Sequence, residues 1–218
     1  MDLINKNQRI NRHPFIWVRE LLYYNINYQH ISNDPILTLS KYRYSPQSFS
    51  DYRNVFSLPL TQLDEFTLFN IIMELNEGEE LAFHSKIECL GFEYHIPLID
   101  FGNVDRGIID SLQLRELCHH WNIQFRIFDS GRSYHAYGNK LINNNDWVQF
   151  MGSLLLLNKP SGFKLIDERW IGHRIMAGYS ALRWSNNSSF YKKTPIYIGY
   201  MNSDGIFLDK DGGRNIYI

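Results

Sequence analysis

The stretch Ile123-Gln124-Phe125-Arg126-Ile127-Phe128-Asp129-Ser130-Gly131-Arg132-Ser133-Tyr134-His135-Ala136-Tyr137 decides how the chain is read. Ile123, Phe125 and Ile127 alternate with Gln124 and Arg126, the period of two that marks a strand with one buried face. Ser130-Gly131-Arg132 supplies turn chemistry. Tyr134 to Tyr137 then predicts a strand running back, so the segment is a hairpin. Ser133 and His135 stand at i and i+2 and share one face of the returning strand.

Working outward, Ile96-Pro97-Leu98-Ile99-Asp100-Phe101 is a buried-strand run that stops at Gly102, with Pro97 at its start or on an edge. Asp110 or Ser111 caps a following helix, whose Leu114, Leu117, Cys118 and Trp121 fall on one face. After the hairpin, Asn143-Asn144-Asn145-Asp146 caps a second helix with Trp147, Met151, Leu154 and Leu155 inward. Lys159-Pro160-Ser161-Gly162 is a loop, and Phe163 to Ile166 predicts a further strand. In order, residues 96–166 give β-α-β-β-α-β, the ferredoxin-like or RRM-like split unit. In that unit the first and third strands are neighbours and the fourth flanks the first. Asp100, Ser133, His135 and Asp167 would then meet on one sheet face. The expected class is α+β, as a single domain over 1–218. Residues 1–80 form an N-terminal portion, 81–195 the core, and 196–218 a C-terminal hairpin.

The N-terminal portion predicts a helix over Pro14–Tyr24 and short strands among the turn-rich residues 25–60. A second helix is expected over Leu63–Leu75, where Phe66, Leu68, Phe69, Ile72 and Leu75 recur at helical spacing. Glu77-Gly78-Glu79-Glu80 ends it, and a strand follows over Leu81–Ile87.

Composition bounds the function. The 218 residues carry 22 basic and 23 acidic groups, so no global field draws in nucleic acid. The distribution is uneven: residues 61–117 hold 12 acidic and 3 basic groups, whereas 159–193 hold 7 basic and 2 acidic. The basic stretch is a solvated face or a phosphate-contact surface, and composition does not separate the two. The two cysteines, Cys89 and Cys118, are too few for a disulfide scaffold or a four-cysteine zinc site. The longest apolar run, Leu154 to Leu157, is far short of the roughly 20 residues of a membrane span. The opening residues lack a signal-peptide pattern, so a cytoplasmic protein with no membrane association is expected.

Several other groupings carry less. Cys118, His119 and His120 are adjacent on a helix and do not converge on a metal, so no zinc is expected. Glu93 and His95 share a strand face and are expected at the surface. Asn187-Ser188-Ser189 matches a glycosylation acceptor with nothing else to indicate secretion. Asp209-Lys210-Asp211-Gly212-Gly213 lacks the terminal Glu of a calcium loop and is expected to be a hairpin turn.

The segment Ser130-Gly131-Arg132-Ser133-Tyr134-His135 resembles the second motif of archaeo-eukaryotic primase-polymerases, a Ser-x-His on a strand after a glycine turn. Leu165-Ile166-Asp167, followed by Arg174 and by Ala181-Leu182-Arg183-Trp184-Ser185, resembles that family's third motif. The first motif, a pair of carboxylates at i and i+2, falls at Asp100-Phe101-Gly102, where Gly102 takes the place of the second. The resemblance covers roughly residues 80–195.

It implies a primase/polymerase-like nucleotidyltransferase that adds NTP or dNTP units to a nucleic-acid 3′-hydroxyl. Asp100, His135 and Asp167 are the implied catalytic residues. Asp100 and Asp167 would hold divalent Mg or Mn, since hard cations take oxygen ligands. Ser130, Arg132, Ser133, His135 and Arg183 would bind the triphosphate, and Arg174, Lys192 and Lys193 would contact a DNA or RNA template. Read without the resemblance, Asp167 is equally a helix cap and Arg183 equally a surface salt-bridge partner. The other reading is a non-catalytic nucleotide- or nucleic-acid-binding module of the same fold.

Overall fold

The computed structural model describes residues 11–28, 34–102, 112–160, 162 and 164–209. Its elements are, in order, α1 (Pro14–Tyr28), β1 (Ile36–Arg43), β2 (Arg53–Pro59), a 3-10 turn (Leu60–Gln62), α2 (Glu65–Met73), β3 (Glu79–Cys89), β4 (Phe92–His95) and β5 (Leu98–Asp100). There follow α3 (Leu112–Trp121), β6 (Phe125–Asp129), β7 (Tyr134–Gly138), β8 (Ile142–Asn143) and α4 (Asn144–Leu155). The last are α5 (Glu168–Ala177), β9 (Ala181–Arg183), β10 (Ile196–Asn202) and β11 (Gly205–Leu208).

Among the described residues the strands form two antiparallel sheets, and the class is α+β. One runs β2-β1-β3-β4-β8, with β9 also paired to β3; the other runs β11-β10-β6-β7-β5. The hairpin forms as its alternation predicts: Phe125 faces Gly138 and Phe128 faces His135. β5 lies on the other side of β7, with Leu98 opposite Tyr137 and Asp100 opposite His135. The strand expected over Phe163–Ile166 is reduced to a single bridge between Ile166 and Phe101; Phe163 lies outside the described residues.

Alternation along these strands assigns the two faces of the second sheet. Ile99, Phe125, Ile127 and Ala136 pack with Leu114, Trp147, Phe150 and Met151 of α3 and α4. Leu98, Phe128 and Tyr137 face the other way and join Leu37, Phe83 and Trp184 in a core between the two sheets. Trp184 stacks on Phe83 at 4.8 Å. Asp100 and His135 extend the Leu98–Tyr137 face by two residues. They therefore stand where this inter-sheet core ends.

The helices are capped as their polar flanks suggest. The Asp64 carboxylate accepts from the Thr67 N–H, and Asn143 Oδ1 accepts from the Asp146 N–H. The alternatives for the α3 cap, Asp110 and Ser111, lie outside the described residues, as do residues 210–213 of the calcium-like run.

Three expectations are corrected. The strands among residues 25–60 are not short: β1 has eight residues and β2 seven. In α4, Leu155 is exposed and Phe150 takes an inward place. His95 is buried rather than at the surface; it bonds Ser85 Oγ at 2.9 Å and Asn144 Oδ1 at 2.8 Å and stacks on Trp147.

Candidate functional site

A cleft of about 680 Å³ opens at the end of the inter-sheet core. It is lined by Asp100, Ser130, Arg132, Ser133, His135, Asp167, Arg174 and Arg183. Eight residues singled out in the sequence, spread over more than eighty positions, thus share one cavity. Lys192 and Lys193 do not line it. They pack behind the Gly131 turn, and Lys193 Nζ bonds Asp129 Oδ2 at 2.6 Å.

Pairing places Asp100 and His135 side by side, with His135 Nε2 3.8 Å from Asp100 Oδ1. Burial pushes the Asp100 carboxyl up to about 8; the charge of Asp167 adds to the rise and Arg183 opposes it. His135 is held well below its usual value, first by burial and then by Arg183, so its ring is neutral. Its Nδ1 is buried without a hydrogen-bond partner. A neutral imidazole lining a polar cleft, with one ring nitrogen unpartnered, is equipped to meet a ligand.

The glycine turn shapes one wall. Gly131 has φ 105°, a left-handed value that favours glycine, and its N–H bonds Asp129 Oδ1 at 2.8 Å. Ser130 Oγ donates to the Ser133 carbonyl at 2.9 Å and closes the turn. Ser133 Oγ donates to the carbonyls of Phe101 and Gly102, so this hydroxyl fastens the end of β5 to β7. Arg132 is exposed on the cleft wall.

Asp167 caps α5 through Oδ1, which accepts from the N–H groups of Arg169 at 2.9 Å and Trp170 at 3.1 Å. Its own N–H bonds the Asp100 carbonyl at 3.2 Å, which ties the two acidic positions together through the backbone. Arg183 is buried, not a surface salt-bridge partner. Its guanidinium donates to the carbonyls of Ser185, Lys193 (3.1 Å) and Ser130 (2.8 Å) and lies 4.0 Å from the centre of the Tyr191 ring. Only its Nε is left buried without a partner.

Among the described residues, no group of three or more His, Cys, Asp or Glu could hold a metal ion. The donor set is Asp100 and Asp167. Their mutual charge, which raises Asp100, is what a hard cation between them would relieve, so the pair fits one divalent ion completed by ligand oxygens. It does not furnish a two-ion set. A Cβ on Gly102 would lie 2.7 Å from the Lys164 carbonyl oxygen, so backbone fills the space where the second carboxylate of the first motif would begin.

The cleft also holds residues that the sequence reading missed. Tyr42, Asp51 and Arg53 come from β1, β2 and the loop between them, and Arg169, His173 and Tyr191 from later segments. Each is an ordinary polar or aromatic residue, and no spacing marks it.

No curated protein and no solved structure matches the chain. The model of one family, AEP-like (archaeo-eukaryotic primase 1D-like), matches residues 59–196, which hold the glycine turn, both acidic positions and β9. On that match, over more than half its length, the chain belongs to the AEP-like, archaeo-eukaryotic primase 1D-like family.

Proposed function

We propose that this primase-like domain is a metal-dependent nucleotidyltransferase that extends a nucleic-acid 3′-hydroxyl from a nucleoside triphosphate. The observation that carries the reading is the convergence of Asp100, His135 and Asp167 with Arg132 in one cleft. Under it, residues 96–166 act as a ferredoxin-like unit whose fourth strand is a single bridge.

Asp100 and the Oδ2 of Asp167 would hold one divalent ion, Mg or Mn, which neutralises triphosphate charge and stabilises the in-line displacement. Asp100 must lose its proton before its oxygens can coordinate, and the neighbouring carboxylate makes that costly without a cation. His135, neutral and with Nδ1 free, would donate to a phosphate oxygen without adding a charge that repels the ion. Arg132 would close on the triphosphate from the turn. Ser133 would act as a positioning residue, since its hydroxyl already bonds two carbonyls. The new bond joins the 3′-oxygen to the α-phosphorus as the bond from that phosphorus to its bridging oxygen breaks; the hydroxyl proton passes to solvent and pyrophosphate leaves.

The test is primed-template extension with Mg²⁺ or Mn²⁺, using NTPs and dNTPs on DNA and RNA. The expected outcome is extension that Asp100→Ala and His135→Ala each abolish. Nucleotide binding that depends on His135 with no extension under any condition would replace this reading with a non-catalytic binding module.

A further inference from the structure

Three arginines in the cleft are nine-tenths or more buried, and each lies over a tyrosine ring. Arg53 sits 4.1 Å from the centre of Tyr42, Arg174 5.6 Å from Tyr179 and Arg183 4.0 Å from Tyr191. The side chains of Arg53 and Arg174 keep 9 % and 2 % of their surface, and Arg183 as a residue keeps 4 %. Two of these tyrosines are linked, since the hydroxyls of Tyr42 and Tyr191 lie 3.4 Å apart. His84 completes the backing. It stacks on Tyr179 at 4.0 Å and bonds Ser40 Oγ at 2.8 Å, and Ser40 Oγ accepts from Arg53 at 3.3 Å.

Only one carboxylate pairs with these guanidiniums among the described residues. Asp51 Oδ2 accepts from Arg53 Nε at 2.8 Å and from Arg174 Nη2. Asp51 is not part of the floor. It belongs to the β1–β2 loop, is itself partly exposed, and reaches in from above. The same loop makes a second contact across the cleft, from Arg169 Nη2 to the Ser48 carbonyl at 3.0 Å. Two guanidiniums thus share one oxygen of a loop side chain, while Arg174 Nη1 and Arg183 Nε remain buried and unpartnered. Burying three cations against one pair-sharing anion leaves hydrogen-bond donors and positive charge uncompensated. A phosphate offers several charged acceptor oxygens and matches guanidinium forks better than one carboxylate oxygen does.

We propose that Arg53, Arg174 and Arg183 form a phosphate subsite and that Asp51 is its internal stand-in, displaced when a phosphate group enters. This deepens the reading above, since it adds a subsite to the same cleft, but it requires no catalysis and no metal. It adjoins the glycine-turn wall through Arg183, which bonds the Ser130 carbonyl, and draws on Arg53, which lies outside the family match. The phosphate belongs either to a nucleotide or to a nucleic-acid backbone.

The test removes the competitor. Asp51→Asn keeps the shape and an acceptor but drops the charge, and binding is measured by calorimetry without divalent ions. The probes are inorganic phosphate, pyrophosphate, a nucleoside triphosphate and a single-stranded oligonucleotide lacking terminal phosphate. Asp51→Asn is expected to tighten binding roughly tenfold, the size of one charge-assisted hydrogen bond. Arg174→Lys, which keeps the charge and loses the fork, is expected to weaken it by a similar factor. A gain for the triphosphate and pyrophosphate alone assigns the subsite to the nucleotide; a gain for the oligonucleotide assigns it to a strand. Unchanged or weaker binding of every probe in Asp51→Asn would overturn the proposal and show Asp51 to be a structural tie. The effect is expected to persist in a His135→Ala background. Failure of extension with a persisting Asp51 effect would therefore count against the catalytic reading and not against this one.

Discussion

Gly102→Ala tests whether the first acidic motif is closed by packing. The added Cβ would sit 2.7 Å from the Lys164 carbonyl oxygen, where ordinary contacts begin near 3.4 Å. One side must therefore recede by roughly 0.7 Å. The obstacle is backbone and cannot swing aside. It is also fastened: Gly102 N–H bonds the Leu165 carbonyl at 2.9 Å, and Asp167 N–H the Asp100 carbonyl at 3.2 Å. The Asn158 side chain holds Ile166 at both its N–H and its carbonyl. Weakening one or two such bonds costs about 1 kcal/mol each, and overpacking adds a similar amount, so about 2–3 kcal/mol is expected. For a chain of this size that lowers Tm by roughly 4–12 °C. Gly102→Asp should lose at least as much and gain no Mg²⁺ affinity, because its carboxylate would start from the same blocked position. The assay is thermal unfolding with and without Mg²⁺, read by circular dichroism. Gly102→Ala melting with the parent, or Gly102→Asp showing Mg²⁺-dependent stabilisation that the parent lacks, would refute the reasoning.

Other outcomes follow from the same geometry. Asp167→Ala should lose about 1 kcal/mol of stability as an N-cap, whereas Asp167→Asn keeps most of the cap; both should abolish Mg²⁺-dependent extension if Asp167 holds the ion. Equal melting of the two variants would count against the capping role. Burial holds His13 near 4, His84 near 3 and His95 near 4, with His135 also depressed. In the unfolded chain these rings take up protons below about pH 6.5, so stability should fall as pH drops through that range. Asp100 acts oppositely. Its folded-state pKa is raised to about 8, so the protein should lose stability as pH rises from about 4 to 8. With four histidines against one carboxyl, melting temperature should peak near pH 7. Asp100→Asn should remove the decline on the alkaline side, and an unchanged decline would show that Asp100 is not its source. Ser133→Ala leaves the Phe101 and Gly102 carbonyls without this donor and should cost about 1 kcal/mol, measured by urea unfolding.

Local chemistry was legible where neighbours in sequence supply it. The alternation of Phe125 and Ile127, the glycine at 131 and the polar run at Asn143 each act within a few residues, so strand, turn and cap could be read directly. The Ser-x-His spacing placed Ser133 and His135 on one side of β7 for the same reason. Roles that depend on distant partners could not be read. Ser133 looked like a free hydroxyl, but its acceptors lie some thirty residues away, just past the end of β5. Arg183 looked like an available fork, but its carbonyl partners include Ser130, fifty-three residues distant. The period on α2 marked a helix, but that Leu68, Ile72 and Leu75 join the inter-sheet core while Phe66 and Phe69 stay exposed depends on which layer covers which side.

The sequence by itself determined the α+β class, the hairpin and the acidic, imidazole and arginine residues that a primase-like cleft needs, because period-two and period-3.6 patterns are short-range. Only the tertiary structure decided which of those groups remain free to act. The approach of Lys164 closes the position beside Gly102, β1 and β2 bring Asp51 and Arg53 over a hundred residues to meet Arg174, and burial turns Asp100 into a proton-holding carboxyl. Each of these is a matter of who is packed beside whom, and side-chain charge and hydrogen-bonding capacity are set by that packing rather than by residue type alone.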